Sequence, residues 1–356
     1  MKVDKDISLL FSLLRKALWK SEESLPSELP EEVCHHLLSL ASMQAVMGLV
    51  TDALIRNNVR MPQKCVFEII GTLEQIKQQG RKIDEGVVKL HYLLAEHKIG
   101  YRVMKGQAVA KFYPVPLLRQ SGDIDYYCMP NVFERSLGVV REAWEVMPEI
   151  HKSEKHADYE YQGIRYEPHY ILTDLHRKKY NDYLVKLINE DPGAEVEING
   201  IYVKTFSPTL HTLYIFLHLF FHLVEVGVGL RQFCDLALML SAGVDHSALK
   251  NHLETLGMVR AFKACEFILT DCLGLQEQYL PYKISPIDRK YGKRMLGVVL
   301  YRGNMGHYNK RNGWSGLGHQ LESACIKMSH FVKFYCLSPT YLVGLVTHRL
   351  FENGKS

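Results

Sequence analysis

Two aspartates separated by one residue, Asp123-Ile124-Asp125, are the pair in this sequence best placed to do chemistry. In a strand, residues i and i+2 point to the same face. The two carboxylates therefore project together, while Ile124 and Tyr126 turn the other way. Like charges at this spacing are costly unless they are exposed or a cation neutralises them, so the pair is expected at an exposed position. Magnesium takes hard oxygen ligands and commonly combines one or two carboxylates with substrate phosphates. Two such ions can clamp the attacking and leaving oxygens of an in-line displacement at phosphorus. Taken alone, the same three residues are equally a solvated turn.

The elements that position the pair can be read on either side of it. Ile99, Tyr101 and Val103 alternate as a strand does. Met104, Lys105 and Gly106 follow, and Gln107 opens a short helical run stopped by Pro114 and Pro116. A glycine at that point lets backbone approach a phosphate closely, and the start of a helix offers free N–H donors. Lys105 and Arg119 bracket the unit with positive charge. The order strand, glycine, short helix, loop, acidic strand is expected to set phosphate donors and metal ligands on adjacent parallel elements. Downstream, Pro130 and Asn131 begin a helix through Trp144. DYEYQ and IRYEPHYIL read as strands, and Arg165, Glu167 and His169 share one face of the second. Pro168 predicts an edge strand or a bulge there, because proline donates no ladder hydrogen bond.

The run KGQAVAKFYPVPLLRQSGDIDYYC, residues 105–128, resembles the signature of the uncharacterised nucleotidyltransferases, a branch of the polymerase-beta-like superfamily. Met104 to Gln107 are similar to its glycine motif, Asp123 and Asp125 to its acidic strand, and Arg119 to the arginine placed before that strand. The resemblance runs from about residue 95 to 350. It implies an α+β fold, Mg2+ or Mn2+ held by Asp123 and Asp125, and phosphates cradled by Lys105, Gly106 and Gln107, with Arg119 nearby. It also implies a third carboxylate, for which Glu167 is the candidate, as ligand or as activator of the attacking hydroxyl. Gln107 departs from the Gly or Ser of the superfamily at large. That departure motivates the alternative of a catalytically idle nucleotide- or partner-binding module.

A second cluster lies in the C-terminal part. His218 and His222 are spaced to share a helix face, with His211 on a similar side, and Arg231 and Asp235 are also four residues apart. The resemblance includes a similar arrangement. A zinc site lacks an evident third and fourth ligand, so these residues read first as interhelix hydrogen-bonding groups. A place in the cleft, gripping nucleotide or acceptor, remains the alternative, and His169 belongs with them.

The rest of the chain is helical in pattern. Residues 1–95 form an N-terminal helical region, with helices near Ile7–Leu18, Val33–Gln44 and from Pro62 past Gly80 to Leu94. Residues 96–207 form the nucleotidyltransferase core with a small mixed sheet, closed by an Asn199-Gly200 hairpin of the type I′ kind. Residues 208–356 form the C-terminal helical region. Within it, Gly303–Gly318 reads as a long loop whose Lys310 and Arg311, with His307 and the following His319, are candidates for a lid.

A net charge of +4 is too mild to indicate nucleic acid and suits a small anionic substrate. The eight cysteines form no CxxC pair, which reads as a reduced, cytoplasmic protein. The most apolar stretch, Leu210–Leu230, carries His211, His218, His222 and Glu225, and so reads as a core helix rather than a membrane span. GxSxG, HExxH, GxxxxGK[ST] and a strand-linked GxGxxG are all missing. The expected activity is transfer of a nucleoside monophosphate from an NTP to an acceptor hydroxyl on a sugar phosphate, small molecule or protein.

Overall fold

The computed structural model describes residues 5–151, 156–304 and 328–352. Four helices come first: α1 (Lys5–Trp19), α2 (Glu31–Met43), α3 (Met47–Arg56) and α4 (Gln63–Glu96). The expected second helix stops at Met43. Gln44 is fully buried there: its Oε1 accepts from Leu230 N, and its Nε2 donates to Val299 O. The chain then restarts as α3, which periodicity alone did not separate. The 34-residue α4 is about 50 Å long. Cys65, Ile69 and Leu73 near its start join a large helical core. Ile83, Val87, Leu90 and Leu94 further along cover the sheet.

The sheet is built from β1 (Tyr101–Met104), β2 (Asp123–Cys128), β3 (Glu149–His151), β4 (His156–Tyr161) and β5 (Ile164–His169), in the order β1-β2-β5-β4-β3. Helix α5 (Gly106–Ala110) lies between β1 and β2, and α6 (Pro130–Trp144) between β2 and β3. The fold is thus α+β with a small mixed sheet, as expected.

Two local expectations are corrected. β1 and β2 pair antiparallel, with Met104 opposite Asp125, so the phosphate turn and the acidic strand are not on parallel elements. The reason is the shortness of α5. A parallel pair needs a crossover, usually a full helix packed on the sheet, and five residues do not supply one. In addition, β5 is an interior strand, parallel to β2 on one side and antiparallel to β4 on the other. Pro168 marks an interruption in the ladder to β4, which pairs at His156–His169 and resumes at Tyr159–Tyr166. A residue without an N–H leaves such a gap in an otherwise continuous sheet.

Alternation gives the sheet two unlike faces. Ile124, Tyr126, Tyr159 and Tyr166 are buried against α4 and α6, with Tyr159 and Tyr166 stacked at 5.1 Å. Asp123, Asp125, Glu167 and His169 occupy the opposite face. After β5 come α7 (Lys178–Glu190) and the hairpin β6 (Ala194–Ile198) and β7 (Ile201–Thr205), turned at Asn199 (φ 46°) and Gly200 (φ 80°). Helices α8 (Pro208–Glu225), α9 (Leu230–Ser241), α10 (His246–Thr255), α11 (Val259–Phe267) and α12 (Pro286–Arg302) then share one apolar cluster with α1 to α3. Of the expected Gly303–Gly318 loop, residues from 305 on, including His307, Lys310 and Arg311, lie outside the described residues, as does His319. The seven described cysteines are free, and all but Cys336 are buried. No described helix is long and apolar enough to cross a membrane.

Helix α3 approaches the segment before β2 so closely that a Cβ on Gly48 would lie 2.3 Å from the Leu118 carbonyl oxygen. Gly71, exposed on α4, would meet nothing within 4 Å. Gly48→Ala is expected to cost about 1–3 kcal/mol through overpacking. Gly71→Ala is expected to add about 1 kcal/mol through helix propensity. Urea midpoints moving in opposite directions for the two variants check this close approach.

Candidate active site

Strand β1 ends in a turn that no ordinary side chain adopts easily. Lys105 has φ 46° and ψ −133°, and Gly106 follows at φ 26°. A non-glycine residue in such a region costs of order 1–3 kcal/mol and persists only where its surroundings enforce it. Three contacts do so. The Lys105 backbone N–H donates to His211 Nε2 at 3.1 Å. Its Nζ lies 2.6 Å from Asp125 Oδ1. The same ammonium stands 5.9 Å from the Tyr214 ring centroid.

His211 can accept that hydrogen bond because burial holds its pKa down at about 4, which keeps the ring neutral. Its Nδ1 lies 3.4 Å from Thr205 Oγ1, which donates to Val103 O. The histidine that spacing grouped with His218 and His222 thus supports the turn instead.

Asp125 accepts a second bond, from His169 Nε2 at 3.0 Å. Burial raises the pKa of Asp125, but Lys105 and His169 outweigh it and hold the carboxyl well below the usual range. Burial also lowers His169. Ligand atoms of Asp125, Glu167 and His169 all lie within 4.8 Å of one another. His169, assigned from sequence to the wider cleft, therefore stands beside the carboxylates. Asp123 lies on the same face but outside this tightest group, and its pKa is raised by burial and then by Asp125. Glu167 is pushed up to about 7 by burial, then by Asp125 and Asp123, although Arg165 Nε is 3.1 Å from its Oε1. The expectation of an exposed pair is corrected: Asp125 is 3 % exposed. The strand enters between α5, β5 and α8, and this tertiary cover is not visible in a two-residue repeat.

Helix α8 covers the polar face. Tyr214, His218 and His222 recur every four residues along it, and the two histidine rings lie 4.2 Å apart. Burial, aided by the Lys105 charge, lowers both, His222 to about 4. Tyr214 was missed from sequence, although its spacing to His218 was available.

Arg231 and Asp235 do not form the pair that their spacing suggests. Asp235 is held instead by Arg119, with Nε–Oδ1 and Nη2–Oδ2 both at 2.8 Å, and by the Tyr113 hydroxyl at 2.7 Å. The remaining Arg119 nitrogen donates to Ser121 Oγ. All three guanidinium nitrogens of Arg119 are thereby engaged within the protein. Arg231 donates to Gln120 O through Nη1. Gln107 is buried, and its amide donates to Asp84 on α4.

Three buried polar atoms around this face have no hydrogen-bond partner among the described residues: Tyr214 Oη, His222 Nδ1 and Arg231 Nε. Such atoms cost about 1–3 kcal/mol each and are uncommon in folded proteins. They gather beside crowded carboxylates, where water or a polar ligand could satisfy them.

A family model described as an uncharacterised nucleotidyltransferase matches residues 30–274. A crystal structure of an antigenic nucleotidyltransferase-like protein from Paracoccidioides brasiliensis is similar at 14% identity, over 57% of this chain and 94% of that one. Its TM-score is 0.33. No curated protein matches.

The raised Glu167 pKa has a sign that can be tested. A carboxyl whose pKa is higher folded than unfolded binds more protons in the folded state, so stability falls as pH rises between the two values. For Glu167 that interval runs from 4.5 to about 7. Asp125 acts oppositely, its contribution being present above the unfolded carboxylate pKa and lost as pH falls. Glu266, buried in α11 and raised to about 8, adds a similar slope to wild type and variant alike. Metal-free Glu167→Gln should therefore gain on wild type across this interval, by at most about 3 kcal/mol. Denaturation midpoints measured in chelator from about pH 4.5 to about pH 8 give the difference, and parallel curves would refute the assignment.

Proposed function

The chain belongs to the uncharacterised nucleotidyltransferase family, and we propose that it transfers a nucleoside monophosphate from an NTP to an acceptor hydroxyl. The observation that carries this reading is the convergence of Asp125, Glu167 and His169 within 4.8 Å beside the strained Lys105–Gly106 turn.

The donors fit a hard divalent cation. Carboxylate oxygens suit Mg2+ or Mn2+, and Asp123 and Glu167 are raised first by burial and then by neighbouring carboxylate charge that a cation would neutralise. Asp123 and Asp125 would hold the cation, with Glu167 beside them as the base and His169 orienting Asp125. When bound, it supplies charge neutralisation to the attacking and leaving oxygens of a displacement at phosphorus.

The chain's own groups account for the rest. Lys105 and Arg231 bring positive charge to the triphosphate, the buried Arg231 Nε having no partner among the described residues. Gly106 permits the turn, and Gln107 fixes it to α4. Arg119 acts at one remove, anchoring the loop before β2 through Asp235. His218 and His222, kept neutral, hold polar atoms of substrate without adding charge.

In the transfer, the acceptor oxygen bonds to the α-phosphorus as the bond from that phosphorus to the bridging oxygen breaks. Pyrophosphate departs with the electron pair, and the hydroxyl proton passes to a Glu167 carboxylate oxygen. A base with a pKa near the working pH suits this role. We propose residues 96–207 as the catalytic core, with the helical regions on either side as its walls.

Asp125 is unsuited to a clean test, because removing its charge leaves Lys105 buried without a partner, at roughly 3–5 kcal/mol. Asp123→Asn is the better variant. Wild type should be stabilised by NTP only with Mg2+ or Mn2+, by about 2.7 kcal/mol at a hundredfold excess over Kd, and Asp123→Asn should lose most of this. Glu167→Gln should keep NTP binding and lower pyrophosphate release by about 10²–10⁴. NTP stabilisation indifferent to metal, or unchanged in Asp123→Asn, would overturn the reading.

A further inference from the structure

An open groove of about 420 Å³ lies between α2, α3, α4 and the loop that leads into β2. Its volume falls in the range of small-molecule sites. α4 contributes Thr72, Gln75, Ile76 and Gln79, spaced to share one helix face, and the loop contributes Gln120 and Ser121. None of the lining residues carries a charge.

The groove is joined to the candidate active site through two elements. The loop that supplies Gln120 and Ser121 continues through Gly122 into Asp123, so the Cα of Ser121 lies at most about 7 Å from that of Asp123. α4 supplies Gln79 at the groove and, less than two turns on, Asp84, which receives the Gln107 amide. The rim is also fixed in place. Gln120 Oε1 accepts from Met47 N at 2.7 Å, Gln120 O accepts from Arg231, and Arg119 is clamped by Asp235.

The lining chemistry selects among ligands. A phosphate or carboxylate would find no cation here and would stand close to Asp123. A nucleobase is commonly held by stacking on an aromatic face, and the groove has no aromatic side chain. Carboxamides and hydroxyls each donate and accept, which matches the hydroxyls of a polyol. Ile76 and Met47 offer small apolar areas to its C–H faces.

From this juxtaposition, and resting on the nucleotidyl-transfer reading above, we infer that the groove binds the acceptor and that the acceptor is a neutral, polyhydroxylated, saccharide-like molecule. Its reactive hydroxyl would then reach the carboxylates from the Asp123 side. The NTP, entering by Lys105 and Arg231, occupies the other side.

The test uses the full chain with Mg2+, titrated with glucose, galactose, N-acetylglucosamine, maltose and glucose 1-phosphate. Binding is followed through the side-chain amide resonances of glutamine, and an NTP is titrated separately. The Gln75→Ala, Gln79→Ala double variant alters groove residues that are exposed or half-exposed on a helix, where alanine is well tolerated. The expected result is that at least one neutral saccharide shifts the Gln75, Gln79 and Gln120 signals, with Kd raised about tenfold or more in the double variant. NTP affinity should be unchanged by it. Binding by none of the four neutral sugars, binding by glucose 1-phosphate alone, or a double variant that weakens NTP instead would overturn the inference. Saccharide binding without NTP binding would leave the groove assignment standing and remove the nucleotidyl-transfer reading. The converse would remove only the groove assignment.

Discussion

The carboxylates of Asp123, Asp125 and Glu167 share one face of a sheet whose other face is sealed by tyrosines, and their mutual repulsion sets what the surroundings must supply. Lys105 answers part of it, placing its ammonium 2.6 Å from Asp125. Asp125 is thereby held ionised, while burial and the neighbouring carboxylates raise Asp123 and Glu167. A site in this electrostatic state attracts a cation and retains a carboxylate able to take a proton near neutrality.

Holding Lys105 in place requires a backbone conformation that is otherwise unfavourable. The strain is contained by a short hydrogen-bonded chain from the Lys105 amide through His211 and Thr205 to Val103. That chain works only with a neutral imidazole, which burial under α8 provides. The helix that positions the turn also brings Tyr214, His218 and His222 over the carboxylates. Conformational strain, histidine protonation and pocket lining are thus linked through one element.

A second set of buried polar contacts holds the helical regions around the sheet. Arg119 and Asp235 join the loop before β2 to α9 by two parallel hydrogen bonds, the geometry in which a guanidinium binds a carboxylate best. Gln44 ties the end of α2 to the start of α9 and to α12. Gly229 permits the closest part of this approach, since a Cβ there would fall 2.6 Å from Gln44 O. These contacts join segments more than one hundred residues apart in the chain, so the walls of the site and its floor form one packed unit.

Local periodicity was enough to determine the alternation of β2 and β5, and therefore which carboxylates share a face. It also determined the full length of α4 and the Asn199-Gly200 turn, because strand period, helix period and positive φ are properties of a few neighbouring residues. What depended on distant chain segments was not legible. The antiparallel pairing of β1 with β2, the interior position of β5 despite Pro168, and the break between α2 and α3 at Gln44 all follow from packing partners elsewhere. So does the role of each charged group. Spacing offered Arg231 to Asp235 and grouped His211 with His218, and the family resemblance aimed Arg119 at phosphate, while the tertiary structure gave Asp235 to Arg119 and His211 to the Lys105 amide. Hydrogen bonding is short-ranged and directional. A side chain's type therefore states what it can bind, and only the folded chain decides which partner lies within 3 Å of it.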